Sequence, residues 1–127
     1  MPARYKVIEK VNPQDRQGPR KYYPSLQTDG RSKQRDLALE AADRSTLSDA
    51  DMDGSMTNLL NLIPKHLADG KIVDLGEFGT FRLTISTEGA ATAEEVTVRN
   101  IKKVGVRFTP GPAFKKMLDD VVFEKAK

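Results

Sequence analysis

The sequence has 127 residues, a length that predicts one ordinary domain and leaves no room for a two-domain enzyme with an interdomain cleft. Only 38% of the residues are hydrophobic, whereas 31% are charged, so we expect a thin core with either self-association or a large polar working surface. The absence of cysteine excludes disulfides and cysteine-ligated metals, and it favours a reducing compartment such as the cytoplasm. No apolar run approaches the length of a membrane span, and the first ten residues show no signal-peptide pattern.

Charge is distributed unevenly along the chain, although the total is only +3. Residues 1–36 contain nine Lys or Arg and four Asp or Glu, whereas residues 37–70 contain two and six. Residues 71–127 contain ten and eight. This asymmetry permits a polyanionic partner that contacts the two basic ends of the chain, although ordinary solvated surface charge explains it equally well.

Residues 1–35 are predicted to form a β extension followed by a basic linker. The alternating pattern of residues 5–11 predicts an edge strand, and a returning strand is expected to start at Lys21 and to be limited by Pro24. Residues 30–34 are typical of a basic linker. We therefore divide the chain into an extension, residues 1–35, and a domain, residues 36–127.

Two helices are predicted next. Residues 37–44 suit a short helix, and Ser48 is a good N-cap for a longer one whose apolar positions recur at three- and four-residue steps. Gly70 is expected to end this second helix. Pro64 is expected to kink it or to start a separate final turn.

The remaining chain is predicted to be mainly β. Residues 71–75 and 77–86 form a predicted hairpin around Gly76, and further β segments are expected at residues 96–98 and 104–108.

The end of the chain has two further predicted elements. Pro112 suits the first turn of a short helix, and residues 121–123 form a β-type run. We expect that run to pair with the strand at residues 5–11, because each needs a partner.

The candidate motifs for metal binding and catalysis are incomplete. Asp49, Asp51 and Asp53 match the first half of a calcium loop, but its twelfth position is Leu60 rather than a carboxylate. His66 is the only histidine, so no histidine metal set is available, and no convincing Ser-His-Asp triad can be assembled around it. We expect no enzyme activity, no catalytic residue, no metal and no cofactor.

Two segments within residues 36–119 are more specific. Residues 72–81 read Ile-Val-Asp-Leu-Gly-Glu-Phe-Gly-Thr-Phe, and residues 103–118 include Phe108, Pro110-Gly111 and Phe114-Lys-Lys-Met-Leu. With the order helix, helix, hairpin, strand, helix, they resemble the bacterial histone-like HU/IHF family. The resemblance implies an α+β fold with a helical pair, a β-hairpin saddle and a C-terminal helix, here with extra N- and C-terminal strands. The extra strands look like a longer variant of the family.

The resemblance further implies an intertwined homodimer in which Phe78, Phe81 and Phe108 lie at the dimer interface, although an intrachain core is an equal alternative for each. Two β-saddles would clasp duplex DNA, with β-arms in the minor groove. The arm of this chain departs from the family pattern, because residues 87–95 contain no proline wedge, no Lys and no Arg. The cations that remain for phosphate contact are Arg82, Arg99, Lys102, Lys103, Arg107, Lys115 and Lys116.

The leading hypothesis is therefore a non-enzymatic, largely sequence-independent DNA-binding protein of the bacterial nucleoid, acting as a cytoplasmic homodimer. Its expected partners are double-stranded DNA and a second copy of the chain, with no membrane and no small-molecule substrate. The alternative is a structural or protein-interaction module that keeps the histone-like fold and has lost duplex binding. The acidic arm favours this alternative.

Overall fold

The computed structural model describes residues 2–126, which form two compact units. One unit combines the described parts of residues 1–33 and 117–127, and the other contains Gln34–Lys116. Within residues 2–126 the secondary structure consists of three helices and six strands in this order: β1 Ala3–Lys10, β2 Lys21–Gln27, α1 Gln34–Asp43, α2 Asp49–Ala68, β3 Val73–Asp74, β4 Gly79–Thr87, β5 Ile101–Pro110, α3 Pro112–Asp120 and β6 Phe123–Lys125. None of these helices has the length and apolar character that crossing a membrane requires.

The first unit is built on a three-stranded sheet in the order β2-β1-β6. β1 pairs with β2 in antiparallel register and with β6 in parallel register, so that Ala3 lies beside Phe123. β1 is therefore the central strand, and the prediction of an edge strand at residues 5–11 is wrong because both β2 and β6 pair with it. The predicted pairing between the two ends of the sequence is thereby confirmed. The strand itself begins two residues later than the predicted run at residues 121–123.

Pro24 does not limit β2, contrary to the sequence-based expectation, because the strand continues to Gln27. In register, Pro24 lies opposite Val7. β2 is the edge of its sheet, and an edge strand needs hydrogen-bond partners on one side only, so that a residue without an amide hydrogen is tolerated there.

The ends of α2 are formed as the sequence predicts. The Ser48 side chain accepts a hydrogen bond from the Asp51 amide at 3.1 Å, which satisfies one of the free donors of the first turn. At the other end, the Gly70 amide donates to the Leu67 carbonyl and the Lys71 amide to the His66 carbonyl, the two hydrogen bonds of a Schellman motif.

Pro64 lies inside α2, which is one uninterrupted helix from Asp49 to Ala68. Of the two alternatives, the separate final turn is therefore wrong, and the kink stays a prediction. The proline removes a single backbone donor, and the capping hydrogen bonds at both helix ends hold the remaining turns.

The helical pair contains the small core of the second unit. The hydrophobic residues buried among those described are Ala38, Ala42 and Leu67, two of which are alanines. α1 is joined to α2 by the Gln34 amide group, which donates to Thr57 Oγ1 at 2.6 Å and to Asp53 Oδ1 at 3.2 Å. A polar contact thus supplements limited apolar burial.

The second sheet has the order β3-β4-β5 and is dominated by the long antiparallel hairpin of β4 and β5. Two glycines at the base of the hairpin adopt positions that a side chain would not tolerate. Gly79 has φ +141, where side chains are strained, and a Cβ on Gly111 would collide with the Glu77 carbonyl oxygen. That close approach lets the Gly111 amide donate to the Phe78 carbonyl at 3.0 Å, which joins the start of α3 to the β3–β4 turn.

Candidate nucleic-acid interface

The hairpin of β4 and β5 has two chemically different faces, because successive side chains of a strand alternate between faces and the cross-strand register fixes their partners. The apolar face of the hairpin consists of Phe81, Leu83, Ile85, Val104, Val106 and Phe108. The polar face of the hairpin consists of Thr80, Arg82, Thr84, Ser86, Lys103, Gly105, Arg107 and Thr109. The cations on the polar face are therefore separated from the apolar side chains.

Two arginines lie directly opposite each other on the polar face. Arg82 pairs in register with Arg107, and neither forms an ion pair with a carboxylate within residues 2–126. Cβ atoms of directly opposed residues are about 5 Å apart, so that two like charges repel. An anion placed over this pair would relieve the repulsion.

The hairpin ends at a β-bulge that separates two predicted DNA-binding lysines. Lys103 lies opposite Ser86 on the polar face, but the register then shifts, so that Ile101 pairs with Thr87 and Lys102 is the extra residue. Lys102 Nζ lies 3.2 Å from Glu88 Oε2. Lys102 therefore has an exposed carboxylate partner, whereas Lys103 forms no ion pair within residues 2–126.

Residues 88–100 form a capped loop rather than a β-arm. The Glu88 amide donates to the Asn100 carbonyl at 2.7 Å, and the Asn100 side-chain amide donates back to the Glu88 carbonyl at 2.9 Å. Two short 3₁₀ turns, Ala93–Glu95 and Val98–Asn100, lie inside this closure. The expected extended arm does not form.

The strand expected at residues 96–98 is also wrong. Thr97 caps the second 3₁₀ turn, with its hydroxyl accepting from the Arg99 amide and its own amide donating to Asn100 Oδ1. Side-chain hydrogen bonds from Thr and Asn to nearby backbone offer the chain this alternative to a β-ladder. The β-branched residues of Val-Thr-Val predict a strand, and this pattern gives no sign of the competing side-chain hydrogen bonds.

The other predicted DNA-binding residues lie outside the polar face. Arg99 is exposed in the second 3₁₀ turn, and Lys115 and Lys116 are exposed on α3. Contact of all seven predicted cations with DNA stays a prediction. The structure brings together Arg82, Lys103 and Arg107, and it places the other four elsewhere.

The three phenylalanines predicted at a dimer interface form an intrachain cluster with Phe114 of α3. Phe108 is central, with ring centroids 4.7 Å from Phe81 and 5.5 Å from both Phe78 and Phe114. Phe78 nevertheless remains 47% exposed. These rings hold the hairpin on α3, and their part in a dimer stays a prediction.

Sequence reasoning missed two features of this site. The opposition of Arg82 and Arg107 requires the register of the hairpin, and the contact of Lys102 with Glu88 requires the bulge. The sequence contained a signal for the contact of Lys102 with Glu88. These residues flank a segment that begins and ends close to predicted strands, so its two ends are expected to lie near each other.

Comparison with known proteins agrees with this architecture. The sequence profile of the HU-HIG family, described as an HU domain fused to wHTH, Ig, or Glycine-rich motif, matches residues 1–125. The chain belongs to the HU-HIG family. The resemblance to histone-like proteins is thereby confirmed for the HU domain, and the mixed α+β fold agrees with it.

Among solved structures, the HU-HIG chain is similar to a proposed bacterial DNA-binding protein from Bacteroides vulgatus ATCC 8482. The TM-score is 0.66 at 11% sequence identity, and the similarity covers 97% of this chain. The chain spans about half of that protein, 47% of its length. No functionally curated protein matches the sequence.

Proposed function

We propose that this HU-HIG chain is a non-enzymatic protein of the bacterial nucleoid that binds double-stranded DNA largely independently of sequence. Binding occurs through the polar face of the hairpin and acts mainly on phosphates. Membership of the HU-HIG family supports this proposal, as does the similarity to a protein that carries a proposed DNA-binding role.

The opposed pair Arg82 and Arg107 is the observation that carries the proposal. A polyanion supplies the counter-charge for these arginines, with which no carboxylate of residues 2–126 forms an ion pair. Lys103 extends the cationic row on the same face, and the hydroxyls of Thr80, Thr84, Ser86 and Thr109 lie among the cations. Cations and hydroxyls of this kind contact phosphate oxygens whatever the base sequence.

We further propose that the active form is a homodimer. On the apolar face of the hairpin, Val104 and Val106 are 63% and 60% exposed, and the helical pair exposes Leu37, Leu59 and Leu60. Exposed apolar patches much larger than a few hundred Å² are uncommon on monomers and are typical of interfaces. A second copy would cover these side chains and complete the thin core.

The experiment that tests DNA binding measures the salt dependence of affinity for a short duplex. Replacing the three grouped cations together, R82Q/K103Q/R107Q, should reduce the log–log slope by up to about three units, because each neutralised phosphate contributes about 0.9. The matched control R44Q/K65Q/K71Q removes the same charge from exposed positions of the same unit that are outside the hairpin. Equal slopes for the two variants would contradict the proposal.

One observation favours the alternative function, a protein-interaction module that has lost duplex binding. Glu88 neutralises Lys102, and Glu94 and Glu95 add negative charge to the same exposed loop. A chain of that kind would elute from a heparin column with neutral proteins. A DNA-binding chain would be retained and released by salt.

A further inference from the structure

The sheet of β1, β2 and β6 also separates its charges by face. In the β1–β2 register, Lys6 lies opposite Ser25 and Lys10 opposite Lys21, which places Arg4, Lys6, Lys10 and Lys21 on one side, with the pair Ile8 and Tyr23 between Lys6 and Lys10. We call the four cations the basic face of the sheet. The opposite side carries Tyr5, Val7, Tyr22, Pro24, Leu26 and Phe123, which together with Tyr23 line an open apolar hollow of about 610 Å³.

The cations of the basic face have no carboxylate partner among residues 2–126. Glu124 lies on this side, opposite Arg4 at one end of the row, and makes no ion pair with it. The ion pair of this unit joins Arg20 to Glu9, which lies on the other side. Lys10 is held 5.6 Å from the centre of the Tyr23 ring, so that its charge remains on the basic face.

The row has a length that suits a nucleic-acid backbone. Arg4 and Lys10 are six residues apart on one strand, or about 20 Å at the rise of a β-strand. One strand of duplex DNA presents about six phosphates over that length of helix axis. Lys21, on the neighbouring strand beside Lys10, widens the positive surface at one end.

We propose that the basic face of the sheet is a second surface for duplex DNA, separate from the polar face of the hairpin. This inference rests on the proposed function and extends its footprint to the N-terminal β extension. A membrane-binding surface would combine cations with exposed apolar side chains on one side, whereas here most apolar side chains lie on the reverse. A protein interface has a broad apolar centre, whereas the apolar part of this face is limited to the half-buried Ile8 and its cross-strand neighbour Tyr23, with cations on both sides of the pair.

The test uses the full chain and a salt titration with a duplex longer than one binding site. The variant K6Q/K10Q/K21Q should lower the log–log slope by up to about three units and should shorten the site size measured on duplexes of increasing length. The control R16Q/R20Q/K125Q removes three charges from the same unit, at positions outside the basic face, and should leave the site size unchanged. The charge-keeping variant K6R/K10R/K21R should retain the slope.

These results test DNA binding by the basic face of the sheet independently of DNA binding by the hairpin. If K6Q/K10Q/K21Q matches its control while R82Q/K103Q/R107Q loses slope, the second surface is overturned and DNA binding by the hairpin stands. If the unaltered chain shows no salt-dependent duplex binding, both proposals are overturned. Loss of binding to anionic lipid vesicles with an unchanged duplex slope would overturn the second surface in favour of a membrane.

Discussion

The two sheets of this protein both place most apolar side chains on one side, but they differ in how those side chains are packed. The hairpin sheet has cations on one side and apolar side chains on the other, whereas the sheet of β1, β2 and β6 has most of its apolar side chains on one side but keeps Ile8 and Tyr23 among its cations. In the hairpin sheet, one end of the apolar side is packed, because Phe81 contacts Phe108 and Phe108 contacts Phe114 of α3, whereas Val104 and Val106 further along are exposed. In the sheet of β1, β2 and β6, Tyr22 and Leu26 are 67% and 65% exposed.

This difference distinguishes what a sheet needs to present charge from what it needs to stabilise the fold. A face that presents charge requires only register, whereas a face that stabilises the fold requires neighbouring side chains. The hairpin satisfies both requirements, and the N-terminal sheet satisfies the first. Stability and DNA binding should therefore respond differently to mutations in the two sheets.

The largest expected effect is on stability. Phe108→Ala should lower the free energy of unfolding by about 3 kcal/mol, because its half-buried ring contacts three others and leaves a cavity. Phe123→Ala removes a ring that is 57% exposed in the other sheet and should cost less than about 1 kcal/mol. Urea denaturation of both variants measures the difference, and equal losses would remove the distinction between the sheets.

Self-association is expected to show a large effect as well. Val106→Glu places a carboxylate on the apolar face of the hairpin, and burial of that unpaired charge should weaken the dimer at least about 100-fold. The mass measured by light scattering should fall towards the chain mass of 14.1 kDa. Thr84→Glu, on the polar face, is the control and should leave the mass unchanged. An unaltered chain that scatters as a monomer would refute the shared core.

A smaller effect distinguishes paired from unpaired cations within the hairpin region. Arg107→Gln should reduce the slope of duplex affinity against salt by about 0.9, whereas Lys102→Gln should reduce it much less, because Glu88 already balances Lys102. Glu88→Gln frees Lys102 and should raise the slope. Fluorescence anisotropy titrations at salt concentrations from about 50 to about 300 mM measure the slopes of the three variants. The reverse ranking would show that the bulge contacts DNA.

The smallest expected signal is DNA bending. Unstacking a base step costs a few kcal/mol, recovered only when the bent duplex contacts further basic surface. The loop of residues 88–100 is closed by hydrogen bonds between Glu88 and Asn100, contains no proline, and has Arg99 as its one cation against three glutamates. Energy transfer between dyes at the ends of a short duplex should change little at saturating protein. A strong change would require another apolar residue to act as the wedge.

Local signals predicted much of this fold. Ser48 and Gly70 were identified as the ends of α2 because capping depends on a few adjacent residues. The pairing of β1 with β6 followed from the need of each isolated strand for a partner.

The failures have a common physical origin. Tolerance of Pro24 depends on the edge position of β2, which is set by β1, and the loop at residues 88–100 depends on hydrogen bonds between its two ends. The opposed arginines and the basic face of the sheet likewise depend on cross-strand register. Such relations join distant residues, so that a pattern within one segment does not contain them.

The pairing of β6 with β1 has a consequence for folding during synthesis. β1 and β2 form a local hairpin that ends at Gln27, but β6, the third strand of this sheet, begins only at Phe123. At about 5 to 20 residues per second, a ribosome takes about 5 to 19 s to make the intervening chain. Throughout that interval one edge of β1 is open, and nascent chains on neighbouring ribosomes carry the same open edge. Translation speed should therefore affect the yield of correctly folded protein.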